Sequence, residues 1–304
     1  MLSFERQVKN YIYIKMLHGA LLYPGVPDEL LVASLHTIKQ VKWEVAIPTL
    51  NSQFFGVPEE LIPEQCNMVA ILDPDFTHYG FLSGLVRKGC HLFLPGEQRM
   101  LSDERMKLIQ LAEEGNTFIQ IRNDLLFYPS FLENEKRGSG SKLIEIHHIA
   151  PDKPGALQEM LYSNLLMILR IVDSDPSRIS VCSIPNSGYL PTVVNLHLNF
   201  HNGSAASLTL SFNGDKKEHL LSIHAPGGVV NYNFEEDDHY PSAFNPGFEN
   251  TLLFSNDLLI KQINYFAECI LKKGCQRFGL NDEAKTFRLI EKIYQKLELS
   301  SVML

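Results

Sequence analysis

Three groups of residues in this sequence carry the donor atoms that metal chemistry needs. His147-His148, the run Glu235-Glu236-Asp237-Asp238-His239 and the cysteines Cys66, Cys90, Cys182, Cys269 and Cys275 are the candidates. None has the spacing of a metal site. Adjacent residues of a strand point to opposite faces, so His147 and His148 cannot share an ion, and at least one of them is expected to be simply exposed. The acidic run abuts Pro241 and Ser242 and reads as a solvated loop. The five cysteines form no C-x-x-C pair, and four of them, beside predicted helices or strands, read as packed small hydrophobes in a reducing compartment. The expectation is no metal.

The other chemistry to look for is dinucleotide binding. It requires a strand, then G-x-G-x-x-G so that the backbone can approach the pyrophosphate at a helix N-terminus, then an acid at the end of the second strand for the ribose. Asn10 to Leu17, rich in aromatic and β-branched residues, reads as the first strand. His18-Gly19-Ala20-Leu21-Leu22-Tyr23-Pro24-Gly25-Val26-Pro27 follows it, with only Gly19 and Gly25 in place and bulky residues between. Lys42 to Ile47 reads as the second strand, and Pro48-Thr49-Leu50-Asn51 stands where the ribose acid belongs. Both halves of the fingerprint are altered.

The elements that would position such a site are plainer. Met68 to Leu72 is a continuous apolar run, as in a strand buried on both faces. Asp73-Pro74-Asp75 stops it, because proline lacks an N–H and aspartate favours turns. Tyr79, Leu82, Leu85 and Val86 then recur at helical spacing until Gly89, and His91 to Leu94 forms the next buried strand. A crossover of this length makes the two strands parallel neighbours. Farther on, Pro95 to Ser102 leads into an amphipathic helix, Asp103 to Glu114. Lys142 to Ile149 alternates as a half-exposed strand does. After a helix from Gly155, strands are expected at Ile179–Ser183, Thr192–Phe200, Ala205–Phe212, Glu218–His224 and Gly227–Tyr232. His201-Asn202-Gly203 and Asn213-Gly214-Asp215 read as hairpin turns between them. Two capped helices close the chain, beginning at Asn256 and Asn281. The predicted fold class is α/β: a Rossmann-like parallel-sheet domain over residues 1–121, then an α+β domain with a mainly antiparallel open sheet over residues 122–304.

Composition fits that architecture. At 304 residues, 45% hydrophobic and 20% charged, the chain can hold two globular domains. Its net charge of −8 speaks against nucleic acid or an anionic membrane as a partner, since both reward clustered cations. No apolar run is long enough to span a bilayer, and the N-terminus does not read as a signal peptide, so the cytoplasm is the expected location.

Four stretches resemble the Gfo/Idh/MocA (glucose-fructose oxidoreductase / inositol dehydrogenase) family. Leu72-Asp73-Pro74-Asp75-Phe76-Thr77-His78 is similar to its T-P-N-x-x-H turn. Gly89-Cys90-His91-Leu92-Phe93-Leu94-Pro95-Gly96-Glu97 is similar to G-K-H-V-F-x-E-K-P, and Phe118 to Pro129 to Q-V-G-H-N-x-R-F-x-P. Gly155 to Ile168 resembles the helix G-G-x-L-x-D-x-G-x-H-x-x-D, and the two closing helices match as well. The resemblance implies a two-domain NAD(P)-dependent sugar or polyol dehydrogenase, a dimer or tetramer through its open sheet.

The residues that family needs are replaced here. The loop lysine falls on Gly96 or Glu97, with Arg99 the nearest cation. Arg122 stands at a family glycine and Leu126 at the arginine. The helix histidine falls on Ser163, its neighbour on Asn164 and the later aspartate on Leu166. A neutral histidine can take a proton from a sugar alcohol, whereas serine cannot. The glycine loop, the ribose acid, the loop lysine and the helix histidine are thus four altered places that such chemistry needs. The expected function is therefore a non-catalytic or weakly active homologue with a binding or regulatory role in sugar or polysaccharide metabolism, without a bound cofactor, and with a sugar-type small molecule as its ligand. Two alternatives stand beside it. One is an active enzyme holding NAD(P) through Asp73, Pro74 and His78, with Glu97 or His147 handling the proton. The other is a structural subunit paired with an active relative.

Overall fold

The computed structural model describes residues 16–24, 29–48, 62–96, 98, 100–127, 140–153, 155–184, 191–212, 217–234, 250–274 and 278–302. The chain divides into two compact units, the first Met1–Arg122 with Leu259–Gly279 and the second Asn123–Leu258 with Leu280–Leu304.

The first unit holds a five-stranded sheet of β1 (Leu17–Tyr23), β2 (Val41–Pro48), β3 (Met68–Ile71), β4 (His91–Leu94) and β5 (Ile119–Ile121), in the order β2-β1-β3-β4-β5. Every pairing is parallel. Helices α1 (Glu29–Leu35), α2 (Tyr79–Arg87) and α3 (Ser102–Glu114) make the crossovers. Strands β1, β3 and β4 are almost wholly buried, as strands of a parallel sheet covered by helices are, whereas β2 carries the exposed Lys42. One face packs Leu21, Tyr23, Met68 and Phe93 against Ile263 and Phe266, both on the helix Asn250–Lys272, here α5.

The first described strand is Leu17–Tyr23, whereas the stretch expected to form it, Asn10 to Leu17, lies outside the described residues up to Lys15. His18 to Tyr23 is not a loop replacing a phosphate-binding turn; it is the strand itself, and Leu21, Leu22 and Tyr23 are core residues exposed by 1%, 0% and 4%. Gly19 is a packing residue within it. A Cβ there would sit 2.6 Å from Val41 Cγ1 and 2.9 Å from Trp43 Cε3. Glycine lets β2 close onto β1 beside the irregularity at Gly19/Ala20.

The second unit is built on six strands: β6 (Leu143–Ala150), β7 (Pro176–Ile184), β8 (Val193–Phe200), β9 (Ala205–Phe212), β10 (Glu218–Ala225) and β11 (Gly228–Asn233), in the order β11-β10-β6-β9-β8-β7. All pairs are antiparallel except β6 with β9. Helices α4 (Ala156–Val172) and α6 (Leu280–Val302) complete it, with α4 against β6, β9 and α6. The expected β9–β10 hairpin is absent as a strand pair, because β6 lies between those strands. Asn-Gly chemistry sets a local turn and does not choose the neighbour in the sheet, and residues 213–216 lie outside the described ones. The β8–β9 hairpin is present, with Gly203 at φ +81°. Among the described residues no helix is long and apolar enough to cross a membrane.

Candidate functional site

In a doubly wound sheet, ligands bind beyond the carboxyl ends of the strands where the strand order reverses. Here the reversal lies between β1 and β3. The turn after β3 is therefore the place to look, and it carries Asp73, Pro74 and His78. Asp73 is buried, and its carboxylate accepts the Asp75 N–H at 2.9 Å, capping a 3-10 turn over Pro74–Phe76. The Pro74 carbonyl accepts both the Thr77 N–H at 3.1 Å and the Thr77 hydroxyl at 2.6 Å. Thr77 is fully buried. The turn thus spends these polar groups on its own shape. His78 differs, being exposed at the N-cap of α2 without a side-chain cap bond, its ring 5.9 Å from that of Phe81.

At the ends of β4 and β5, the Arg122 N–H donates to the Leu94 carbonyl at 2.8 Å. Gly96 lies beside this closure, where a Cβ would meet the Arg122 carbonyl oxygen at 3.3 Å. Glu97, Arg99, Thr49 to Asn51, Gly25 to Pro27 and the acidic run Glu235 to His239 lie outside the described residues. By sequence, the β1–α1 connection has one glycine, Gly25, in Pro24-Gly25-Val26-Pro27-Asp28. That stretch lacks the glycine pattern which lets a backbone approach a pyrophosphate.

The second candidate lies within the second unit. Of the two positions that the sequence resemblance singles out on this helix, Ser163 is half-buried and its hydroxyl donates to the Met160 carbonyl one turn back at 3.3 Å. Asn164 is fully buried. Its Nδ2 donates to the Met160 carbonyl at 2.7 Å and meets His148 Nδ1 at 2.9 Å, while its Oδ1 meets His219 Nε2 at 2.9 Å. His148 and His219 are register partners on β6 and β10, with rings stacked 4.0 Å apart at 9°. Phe234 lies 4.6 Å from the far side of the pair, against His219.

Burial holds both imidazoles neutral. It pushes His148 down to about 4, and His219 well below the ordinary histidine value, with a smaller push on each from a neighbouring histidine. His147 points the other way and stands half-exposed, its Nδ1 3.8 Å from Glu218 Oε1. Of the adjacent pair, then, the structure brings His148 and not His147 to Asn164. Leu166 and Leu126 are buried as core residues at 2% and 1% exposure. Among the described residues no group of three or more metal-ligating side chains occurs.

No protein-family model matches the sequence, and no curated protein is detectably similar to it. Solved structures do match. UDP-N-acetylglucosamine 3-dehydrogenase GnnA from Acidithiobacillus ferrooxidans aligns with TM-score 0.67 and 14% identity over 92% of this chain and 98% of its own. GenD2 from gentamicin A biosynthesis, in complex with NAD, aligns at 0.67 and 11% over 93% and 94%. A provisionally named myo-inositol dehydrogenase from Sinorhizobium meliloti 1021 aligns at 0.71 and 12% over 94% and 98%. The chain shares its fold with these proteins.

The sequence passed over His219, which reads as one more residue of an alternating strand. A signal was present. His148 continues the buried parity of Ile144 and Ile146, and His219 that of Leu221 and Ile223, so each histidine occupies an apolar-face position of its strand. Two polar residues at such positions call for a buried partner, and Asn164 is the polar residue on the apolar face of α4.

Proposed function

We propose that this chain is a Gfo/Idh/MocA-like oxidoreductase homologue that is non-catalytic or weakly active and serves as a binding or regulatory protein in sugar or polysaccharide metabolism. The observation that carries this reading is the Asn164 cluster. Where the family's helix presents a histidine base, this helix has Ser163, and its neighbour Asn164 is saturated by two strand histidines and a backbone carbonyl. A histidine pushed down to about 4 is a poor proton acceptor at neutral pH, because base strength falls with the pKa. The residues of the β3 turn fit a full dinucleotide grip poorly, since the Asp73 carboxylate and the Thr77 hydroxyl already serve the turn. The fold shared with an NAD complex supports a cleft of dinucleotide-binding ancestry.

The second reading is an active NAD(P)-dependent sugar or polyol dehydrogenase with a non-standard site. Exposed His78 at the N-cap of α2, one residue past the β3 turn, favours it. NADH and NADPH titration, followed by nucleotide fluorescence, separates the two. No binding up to about millimolar supports the first reading, and micromolar binding supports the second. The open face of the second sheet is the proposed self-association surface, and sedimentation of the purified chain tests it.

A further inference from the structure

We propose that His148, Asn164 and His219 form an acid-released latch that holds α4 on the second sheet. The geometry fixes every proton in it. The Met160 carbonyl can only accept, so the Asn164 group 2.7 Å away is its amide nitrogen, and the amide orientation follows. The same nitrogen donates to His148 Nδ1, so that ring carries its proton on Nε2. Asn164 Oδ1 must receive a proton, so His219 carries one on its Nε2. One amide therefore joins β6, β10 and α4, with both rings neutral.

The latch cannot take up a proton and stay closed. A proton on His148 would enter at Nδ1, facing the N–H that Asn164 already presents. Flipping the amide does not relieve this, because Oδ1 would then face the Met160 carbonyl. A proton on His219 would enter at Nδ1 and leave its bond to Asn164 intact. It would also place a buried charge in a ring stacked 4.0 Å from His148. His148 is therefore the trigger.

Among the described residues the charges around the cluster do not compensate. On β6, His147 and Glu145 point to the opposite face, where Glu145 meets His224 and His147 meets Glu218. On α4, exposed Glu159 pairs with Lys153. On α6, buried Glu283 accepts from Tyr162 at 3.2 Å. On β9, the register partner of His148 is Leu210, and Phe234 covers His219. The latch stands whether or not the chain turns over a substrate.

The test is a pH titration of the full chain from 7.5 to about 4. Imidazole nitrogen and carbon shifts follow the two rings, and amide hydrogen exchange follows α4 and α2. The expected result is that both rings keep the neutral Nε2–H form through the ordinary histidine range. As His148 protonates, α4 should lose at least tenfold in exchange protection while α2 keeps its own. In Asn164→Leu, the acid-dependent step in α4 should disappear. If that variant does not fold, the wild-type titration decides alone. Rings that titrate at the ordinary value, an α4 that stays protected after His148 protonates, or simultaneous loss of α2 would each overturn the latch.

Discussion

Both candidate regions contain histidine beside a helix, yet their polar groups are used in opposite ways. In the first unit, Asp73 and Thr77 bond to their own turn, and His78 is left in solvent at the start of α2. In the second, His148 and His219 are drawn inward and bond to a third residue from another element. Local bonds shape a turn and leave a surface for ligands. Long-range bonds fix elements to one another and tie up the central amide that joins them. The contrast teaches that a histidine at a family-like position is informative only once its partner is known.

The first way to sharpen this comparison is to remove packing where neither region is involved. Phe266 is fully buried in the cluster with Phe93 and Leu21. Phe266→Ala should destabilise the protein by roughly 3–5 kcal/mol in denaturant unfolding. It sets the scale for a defect in the core.

Asn164→Ala should come next, at roughly 2–4 kcal/mol, since it strips partners from the buried His219 and the half-buried His148 at once. Ser163→Ala, its immediate neighbour, should cost less than about 1 kcal/mol, because that hydroxyl bonds only to its own helix. Equal costs for the two would erase the distinction between long-range and local bonding.

Acid should act on the second region through His148. The native pKa of His148 is depressed, so its neutral form is favoured by folding, and the unfolded chain binds the extra proton between the ordinary value of 6.5 and about 4. Stability is therefore full above pH 6.5 and falls as pH drops toward 4, by about 3 kcal/mol for this one group. Chemical denaturation at a series of pH values measures the slope. In His148→Phe that contribution should be absent.

Much of this architecture was legible in the sequence, and the exceptions have physical causes. The parallel strands β3 and β4 and helix α2 were readable because buried strands are continuous apolar runs and α2 has helical periodicity. The start of β1 was misplaced because Asn10 to Leu17 and Leu17 to Tyr23 are both rich in apolar residues, and periodicity alone does not choose between two adjoining apolar runs. Gly19 looked like a remnant of a phosphate loop, whereas its missing Cβ makes room for Val41 and Trp43. Gly19→Ala should therefore cost about 1–3 kcal/mol through overpacking. A residue of a true phosphate loop would show its effect in nucleotide affinity instead. The Asn164 cluster was hidden for another reason. Hydrogen bonds between residues 16 and 55 positions apart leave no local pattern, and only the parity of His148 and His219 hinted at them.

The smallest effect belongs to His78, and it bears most directly on function. Its side chain is exposed and makes no cap bond, so His78→Ala should change stability by no more than about 0.5 kcal/mol in thermal or denaturant unfolding. That neutrality makes it a clean probe of the turn after β3. If the chain has lost its dinucleotide grip, the variant and the parent should respond identically to NADH and NADPH. If instead His78 holds a nucleotide at the reversal between β1 and β3, the parent should bind and the variant should weaken by several-fold, with stability unchanged. A change in affinity without a change in stability would mark the first region as the working site and leave His148 and His219 as part of the frame of the second unit.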